Sequence, residues 1–187
     1  MYLSVAMSAS LSRLRRLLHE RSVKIGDFTL ASGRRSKYYI DARLTTMSGA
    51  GQVLVGEVCH QAIEDAGWHP EYVGGMTLGA DPIAYAIAAH ATRLGRTLDA
   101  FTVRKRPKGH GTGRQIEGGL PTGARVVVIE DSVTSGGSLL AALSVIEDHG
   151  AVVAGVLALV DRREGGTERL LEAGYDFRAV FSATDLL

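Results

Sequence analysis

With 187 residues, 45% of them hydrophobic and 22% charged, the chain can bury a full core beneath a solvated surface, which argues against disorder. A formal net charge of +1 offers no global attraction to nucleic acid or an acidic membrane, so any cationic function must be local. The single cysteine, Cys59, rules out an internal disulfide and a multi-cysteine zinc site.

In chain order, Leu11, Leu14, Leu17 and Leu18 share one face of a predicted first helix, with Arg13, Arg15 and Arg16 off it. These basic residues follow the weak apolar start, whereas a secretory signal would place them before it; the cytoplasm is the expected address. Met7 is as acceptable a start as Met1. A polar, β-rich segment runs from Asp27 to Arg43 with Ser32-Gly33 as its turn signal. Helical spacing returns from about Gly49 to Ala66, where Val53, Val58, Ala62 and Ile63 line one side and Cys59 is expected as a buried, inert thiol. Trp68-His69-Pro70 ends that helix, Tyr72 to Met76 reads as a strand, and Thr77-Leu78-Gly79-Ala80 as a loop. Asp81 is placed to cap the next helix, with Pro82 at its first position.

Leu98 to Val103 is a further predicted strand, and residues 104–123 a long loop rich in glycine and basic side chains. Arg125 to Ile129 is a strongly apolar strand, followed by a Ser/Thr/Gly turn and a helix from about Ser138 to His149. The longest apolar run, Ala151 to Val160, is too short to cross a bilayer and suits a buried strand. A short helix from Thr167 to Ala173 and a strand from Arg178 to Ser182 complete the pattern. Strands alternating with helices predict an α/β fold with a mostly parallel central sheet, and no linker divides the chain, so residues 1–187 are expected to form one domain.

Three segments carry chemistry. In the first, the strand Val126 to Ile129 delivers Glu130 and Asp131 to its carboxyl end, then Ser132-Val133-Thr134-Ser135-Gly136-Gly137-Ser138 turns into a helix. Backbone N–H groups in such a turn, with the helix N-terminus behind them, can wrap a phosphate, and the glycines admit close approach. Carboxylates beside it suit the vicinal hydroxyls of a ribose. Neither a P-loop nor a G-x-G-x-x-G fingerprint is present; a capped helix after a core strand is the plain alternative.

In the second, Arg104, Lys105, Arg106, Lys108 and His110 crowd into seven residues and repel one another until an anion such as pyrophosphate arrives; a solvated loop is the alternative. In the third, Tyr38-Tyr39 offers an aromatic wall for a flat base, and Arg162 follows the Ala151 to Val160 strand. Ordinary half-buried strand residues and a solvated charge cluster are the respective plain alternatives.

The strand–acids–turn segment resembles the signature of the type I phosphoribosyltransferases. Arg-Lys-x-x-Lys-x-His-Gly from Arg104 to Gly111 with Ile116-Glu117-Gly118, and Phe28 to Asp41, resemble the lid and the N-terminal hood of the orotate phosphoribosyltransferase family. The resemblance implies the type I fold with a small hood (mainly residues 20–45), a lid over about 104–123, and conversion of orotate and phosphoribosyl pyrophosphate (PRPP) with magnesium. It implies that residues Ser132, Val133, Thr134, Ser135, Gly136, Gly137 and Ser138 hold the PRPP phosphate, with Glu130 and Asp131 on the ribose. It implies that Arg104, Lys105, Lys108 and His110 hold pyrophosphate, with Lys105, Lys108, His110 and Asp131 serving catalysis. Orotate would lie against Thr134, Tyr38, Tyr39 and Arg162, the last matching the family's Asp-Arg pair at Asp161-Arg162. A homodimer with each lid closing over the partner's site is also implied, with no nucleic-acid or membrane partner. Ala31 and the 77–80 loop lack lysines that many members carry, and a glycine backbone at Gly79 is the expected substitute. A phosphoribosyltransferase for another base and a PRPP-sensing regulator are the rivals.

Overall fold

The computed structural model describes residues 9–29, 35–106 and 115–187. Its first helix, α1 (Ala9–Ser22), buries Leu14 and Leu18, with Leu11 and Leu17 packed beside them, as the leucine spacing requires. Strands β1 (Val23–Thr29) and β2 (Arg35–Ile40) pair antiparallel as a separate two-stranded sheet; the Ser32-Gly33 turn lies outside the described residues. A four-residue helix, α2 (Arg43–Thr46), leads into α3 (Gly49–Ala66), whose first turn is capped by the Ser48 hydroxyl accepting from Gly51 N at 3.1 Å.

On α3 the buried face is Leu54, Val55, Val58, Cys59, Ala62 and Ile63. Val53 is exposed, one step off the stripe that its sequence spacing suggested. Burial alone pushes the Cys59 thiol up to about 12, so it is inert as expected. The helix stops at Gly67, in the left-handed region, just ahead of Trp68.

The main sheet is built from β3 (Tyr72–Met76), β4 (Asp99–Val103), β5 (Ile116–Glu117), β6 (Arg125–Val133), β7 (Val152–Asp161) and β8 (Phe177–Ser182), in the order β5-β4-β3-β6-β7-β8. All pairings are parallel except β4 with β5. The remaining helices are α4 (Asp81–Arg93), α5 (Gly137–Asp148), α6 (Gly166–Glu172) and α7 (Ala183–Leu186).

Alternation along β6 splits the core into two layers. Val127 and Ile129 join the layer holding Ile63, Ile83 and Ile87 of α3 and α4; Val126 and Val128 join the layer holding Leu139, Leu143 and Ile146 of α5. Each such side chain, fully buried, contributes roughly 1.5–3 kcal/mol, so a strand covered on both faces reads as the continuous apolar run seen in the sequence. β6 also runs four residues beyond the apolar stretch, through Glu130, Asp131, Ser132 and Val133, with Glu130, Ser132 and Val133 paired to β7.

One expected cap is absent. The helix begins at Asp81 itself, behind Ala80, and the Asp81 carboxylate accepts instead from Thr77 Oγ1 (2.6 Å) and Thr102 Oγ1 (2.9 Å). Two hydroxyls on neighbouring segments outcompete the helix's own N–H groups, which ties the 77–80 loop to β4.

Glycine is required where β7 passes the Trp68 indole. A Cβ on Gly155 would lie 2.2 Å from an indole carbon. The ring cannot yield, because Trp68 Nε1 donates to Asp176 (2.7 Å) and the Arg178 guanidinium sits 5.4 Å from its centre. Gly155→Ala is therefore expected to destabilise the fold by about 1–3 kcal/mol. Thermal denaturation checks this, at about 2–4 °C of Tm per kcal/mol; an unchanged Tm would show that the indole shifts freely.

Candidate active site

Strand order reverses between β3 and β6, since the chain leaves β3 towards β4 and β5 but leaves β6 towards β7 and β8. Open parallel sheets bind ligands outside the carboxyl ends of strands at such a point. A cleft of about 300 Å³ lies there, lined by Tyr39 to Arg43 from the β2–α2 junction, Met76 to Gly79 after β3, Lys105 after β4, and Glu130 to Leu139 from β6 and α5.

The turn from Thr134 to Gly136 leads into α5, with Gly136 at the N-cap in the left-handed region. No side chain among the described residues caps this helix, so its first N–H groups are left without an internal acceptor there. Gly166 packs behind the turn, where a Cβ would meet Thr134 O at 2.5 Å. Thr134, Ser135, Gly136, Gly137 and Ser138 all line the cleft with Ser132 and Val133, and the Ser132 hydroxyl is buried without a hydrogen-bond partner among the described residues. Hydroxyls, free N–H groups and a helix N-terminus make this end an anion cradle.

The two carboxylates differ. Glu130 is 9% exposed and Asp131 is half-buried, its backbone N–H donating to Glu130 Oε1 at 3.1 Å. Burial and the Asp131 charge beside it push the Glu130 carboxyl up to about 8, against a smaller opposing pull from Lys105. Gly79 faces Asp131 so closely that a Cβ there would stand 2.7 Å from the carboxylate. The 77–80 loop thus presents bare backbone to Asp131, and its Thr77–Leu78 peptide is cis.

Among the basic residues, Lys105 lines the cleft, while Arg104 Nη1 donates to Glu117 at 3.2 Å outside it. Arg104 N bonds Gln115 O (2.8 Å) and Gln115 Nε2 bonds Arg104 O (2.9 Å), so the two ends of the basic loop are pinned together at the β4–β5 pair. Lys108 and His110 lie outside the described residues. Tyr39 lines the cleft; Tyr38 and Arg162 do not, but stack against each other beside it, with the guanidinium 5.0 Å from the ring centre. Arg162 N donates to Val133 O at 2.9 Å, which sets this pair against the turn. The Arg162 side chain is 5% exposed and forms an ion pair with Glu164 (3.3 Å), yet Nε and Nη2 have no hydrogen-bond acceptor among the described residues. A buried guanidinium short of acceptors is costly unless a ligand supplies them, and a planar carboxylate matches its fork.

Sequence reasoning missed Asp41, Arg43 and Met76 as lining residues, because only the tertiary fold brings the β2–α2 junction into the same cleft as Asp131. Asp41 takes a bidentate pair from Arg43, at 2.9 Å from Nε and 3.1 Å from Nη2, which holds its carboxyl below the usual range.

Residues 49–172 match the family described as the phosphoribosyl transferase domain. The orotate phosphoribosyltransferase of Aquifex aeolicus is 43% identical over 178 residues, covering 94% of this chain and 96% of its own. The crystal structure of Mycobacterium tuberculosis orotate phosphoribosyltransferase with Fe(III) dicitrate superposes with a TM-score of 0.84 at 41% identity, covering 95% of this chain and 98% of that one. The same enzyme in complex with PRPP gives 0.79 at 34% identity, covering 96% and 93%.

Glu130 generates a pH prediction. Its folded pKa is raised above the ordinary carboxyl value of 4.5, so the native state keeps a proton that the unfolded state releases, and stability falls as pH rises from 4.5 through about 8. Glu130→Gln should remove that loss. Its Tm relative to the parent should climb by at least about 2–4 °C between pH 5 and pH 8, equivalent to about 1 kcal/mol. Parallel curves would mean that Glu130 is ionised throughout.

Proposed function

The chain belongs to the orotate phosphoribosyltransferase family, and from that membership we propose that it transfers the phosphoribosyl group of PRPP to orotate, giving orotidine monophosphate and pyrophosphate. The observation that carries this reading is one cleft at the β3–β6 reversal where an uncapped α5 N-terminus meets the Glu130–Asp131 pair, with the Tyr38–Arg162 stack alongside. An anion cradle, ribose-binding carboxylates and a buried cation for a planar acid are the three features that phosphate, ribose and orotate need.

In the reaction the bond from the ribose anomeric carbon to pyrophosphate breaks, and a bond from that carbon to a ring nitrogen of orotate forms. The residues from Ser132 to Ser138 hold the ribose phosphate through N–H and hydroxyl donors, and Glu130 and Asp131 take the ribose hydroxyls. Asp131, the better exposed acid, stabilises the positive charge that develops on the sugar. Lys105, Lys108, His110 and Arg104 take the charge growing on the departing pyrophosphate, where preorganised donors act most strongly. Arg104 would exchange its Glu117 partner for the leaving group, a cheap step for an exposed pair. The ring nitrogen gives up its proton as the new bond forms, and the departing pyrophosphate, whose oxygens gain charge in the same step, can accept it without a strong protein base; Arg162 takes the orotate carboxylate, while Tyr38, Tyr39 and Thr134 bound the ring.

Magnesium fits the donor set. Among the described residues no group of three or more His, Cys, Asp or Glu side chains forms a metal cage, whereas the adjacent carboxylates suit an ion that arrives on substrate phosphates. When bound, it would neutralise charge on the pyrophosphate oxygens. A homodimer, with each lid serving the partner's cleft, is supported by the exposed Leu44, Met47 and Leu78 beside the site. Cytoplasmic location suits the chemistry, and no helix among the described residues is long and apolar enough to cross a membrane.

Pyrophosphate release on mixing PRPP with orotate, uracil and purine bases tests the function: it should be rapid with orotate alone. Arg162→Ala should raise the orotate KM by about tenfold or more, the scale of losing a charged hydrogen-bond pair. Any slow reaction with uracil should be unaffected; equal losses for both bases would make Arg162 structural. The shared site is tested by mixing Asp131→Ala chains with Lys105→Ala/Lys108→Ala chains. Lids acting across a two-fold interface restore one intact site in each mixed dimer, for about a quarter of parental activity. No recovery, with mixed dimers shown to form, would mean each lid serves its own chain.

A further inference from the structure

We propose that Arg43, oriented by Asp41, is a further substrate-binding residue and takes the diphosphate end of PRPP. The inference rests on reading the cleft as the PRPP site. Its starting point is the charge of the cleft: among the described side chains lining it, Asp41 and Asp131 stand against two cations, Arg43 and Lys105, while burial and the neighbouring Asp131 keep Glu130 protonated, so the protein's own charges leave no surplus cation for a bound phosphate. A ligand with phosphates at both ends can seat one against the backbone donors of the α5 turn. The other must lie away from that turn, where carboxylates repel it unless a cation intervenes.

Arg43 is built for that place. It opens α2 immediately after β2, on the wall that carries Tyr39 to Arg43. Asp41 accepts from Arg43 N (3.2 Å), from Nε (2.9 Å) and from Nη2 (3.1 Å), so one carboxylate fixes both the backbone turn and the side-chain fork. Nη1 has no hydrogen-bond partner among the described residues, and 44% of the side chain remains open to solvent. The Asp131 charge lies within reach of the guanidinium field. A planar guanidinium held on one edge and open on the other suits phosphate oxygens, and little of its entropy remains to be lost on binding. As a surface ion pair alone it would contribute at most about 1 kcal/mol, which gives the fold little reason to aim it into the cleft. The 77–80 loop on the facing wall supplies no lysine of its own.

Calorimetric titration of magnesium–PRPP, magnesium–pyrophosphate and ribose 5-phosphate into the full chain and its Arg43→Gln, Arg43→Lys and Asp41→Asn variants tests the idea. Arg43→Gln should weaken PRPP and pyrophosphate by about ten- to a hundredfold, the scale of one charged hydrogen-bond set. Ribose 5-phosphate should change less than about twofold, because its phosphate belongs to the turn. Arg43→Lys should recover part of the loss, and Asp41→Asn should show a smaller loss of the same kind. Parental PRPP affinity in a folded Arg43→Gln chain, or an equal loss for ribose 5-phosphate, overturns the proposal. The two readings fail separately. A parent chain that binds PRPP but releases no pyrophosphate with orotate would sink the functional reading, while the binding comparison still decides Arg43.

Discussion

The close pairing of Glu130 with Asp131 at the carboxyl end of β6 is the constraint on which the rest of the site depends. Two acids in sequence on one strand cannot both sit in water when that strand runs through the middle of the sheet. Glu130 is buried on one side of the ladder, and its charge is disfavoured by that burial and by its neighbour. Cations and donors therefore have to be brought to them from other elements. Lys105 comes from the end of β4, Arg43 from the start of α2, and bare backbone at Gly79 from the loop after β3.

The sheet makes this gathering possible. Because β3 and β6 are neighbours at the reversal of strand order, their carboxyl ends open on the same side, and the loops that follow diverge rather than fill the gap. The acids themselves remain in strand conformation, paired with β7 as far as Val133 and Asp161. Their backbone is thus as rigid as the core beneath it, and the turn begins only at Thr134. Asp81 extends the same rigidity sideways by clasping Thr77 and Thr102, joining the loop after β3 to the strand from which the basic loop departs. A site assembled from loops is thereby fixed at four strand ends.

Much of this was legible in the sequence. Tyr72 to Met76, Gly49 to Ala66 and the run ending at Val160 stand out because periodicity and punctuation agree there, and the structure places elements at or within a residue or two of those bounds. The acids and the Ser/Thr/Gly turn were legible too, since strand, carboxylates and turn are contiguous and their spacing alone defines the cradle. Less visible were the short pieces. The two-residue β5 and four-residue α2 and α7 carry too few residues for any period to emerge, and they form because neighbouring strands and helices give them partners. Asp81 misled for a related reason: the sequence shows a good capping residue before Pro82, but not the two hydroxyls that the fold brings closer.

By itself, then, the chain's sequence determined the alternating α/β order, the buried strands, the phosphate-wrapping turn and the family to which the motifs point, because each depends on residues near one another in the chain. Only the tertiary structure decided which charges meet. Arg162 stacks on Tyr38, some 124 positions earlier in numbering; Arg43 reaches the field of Asp131; and Arg104 turns to Glu117 rather than into the cleft. Those encounters follow from the order of strands and the seating of the small β1–β2 sheet, and electrostatic energy falls with separation in space, to which distance along the chain is no guide.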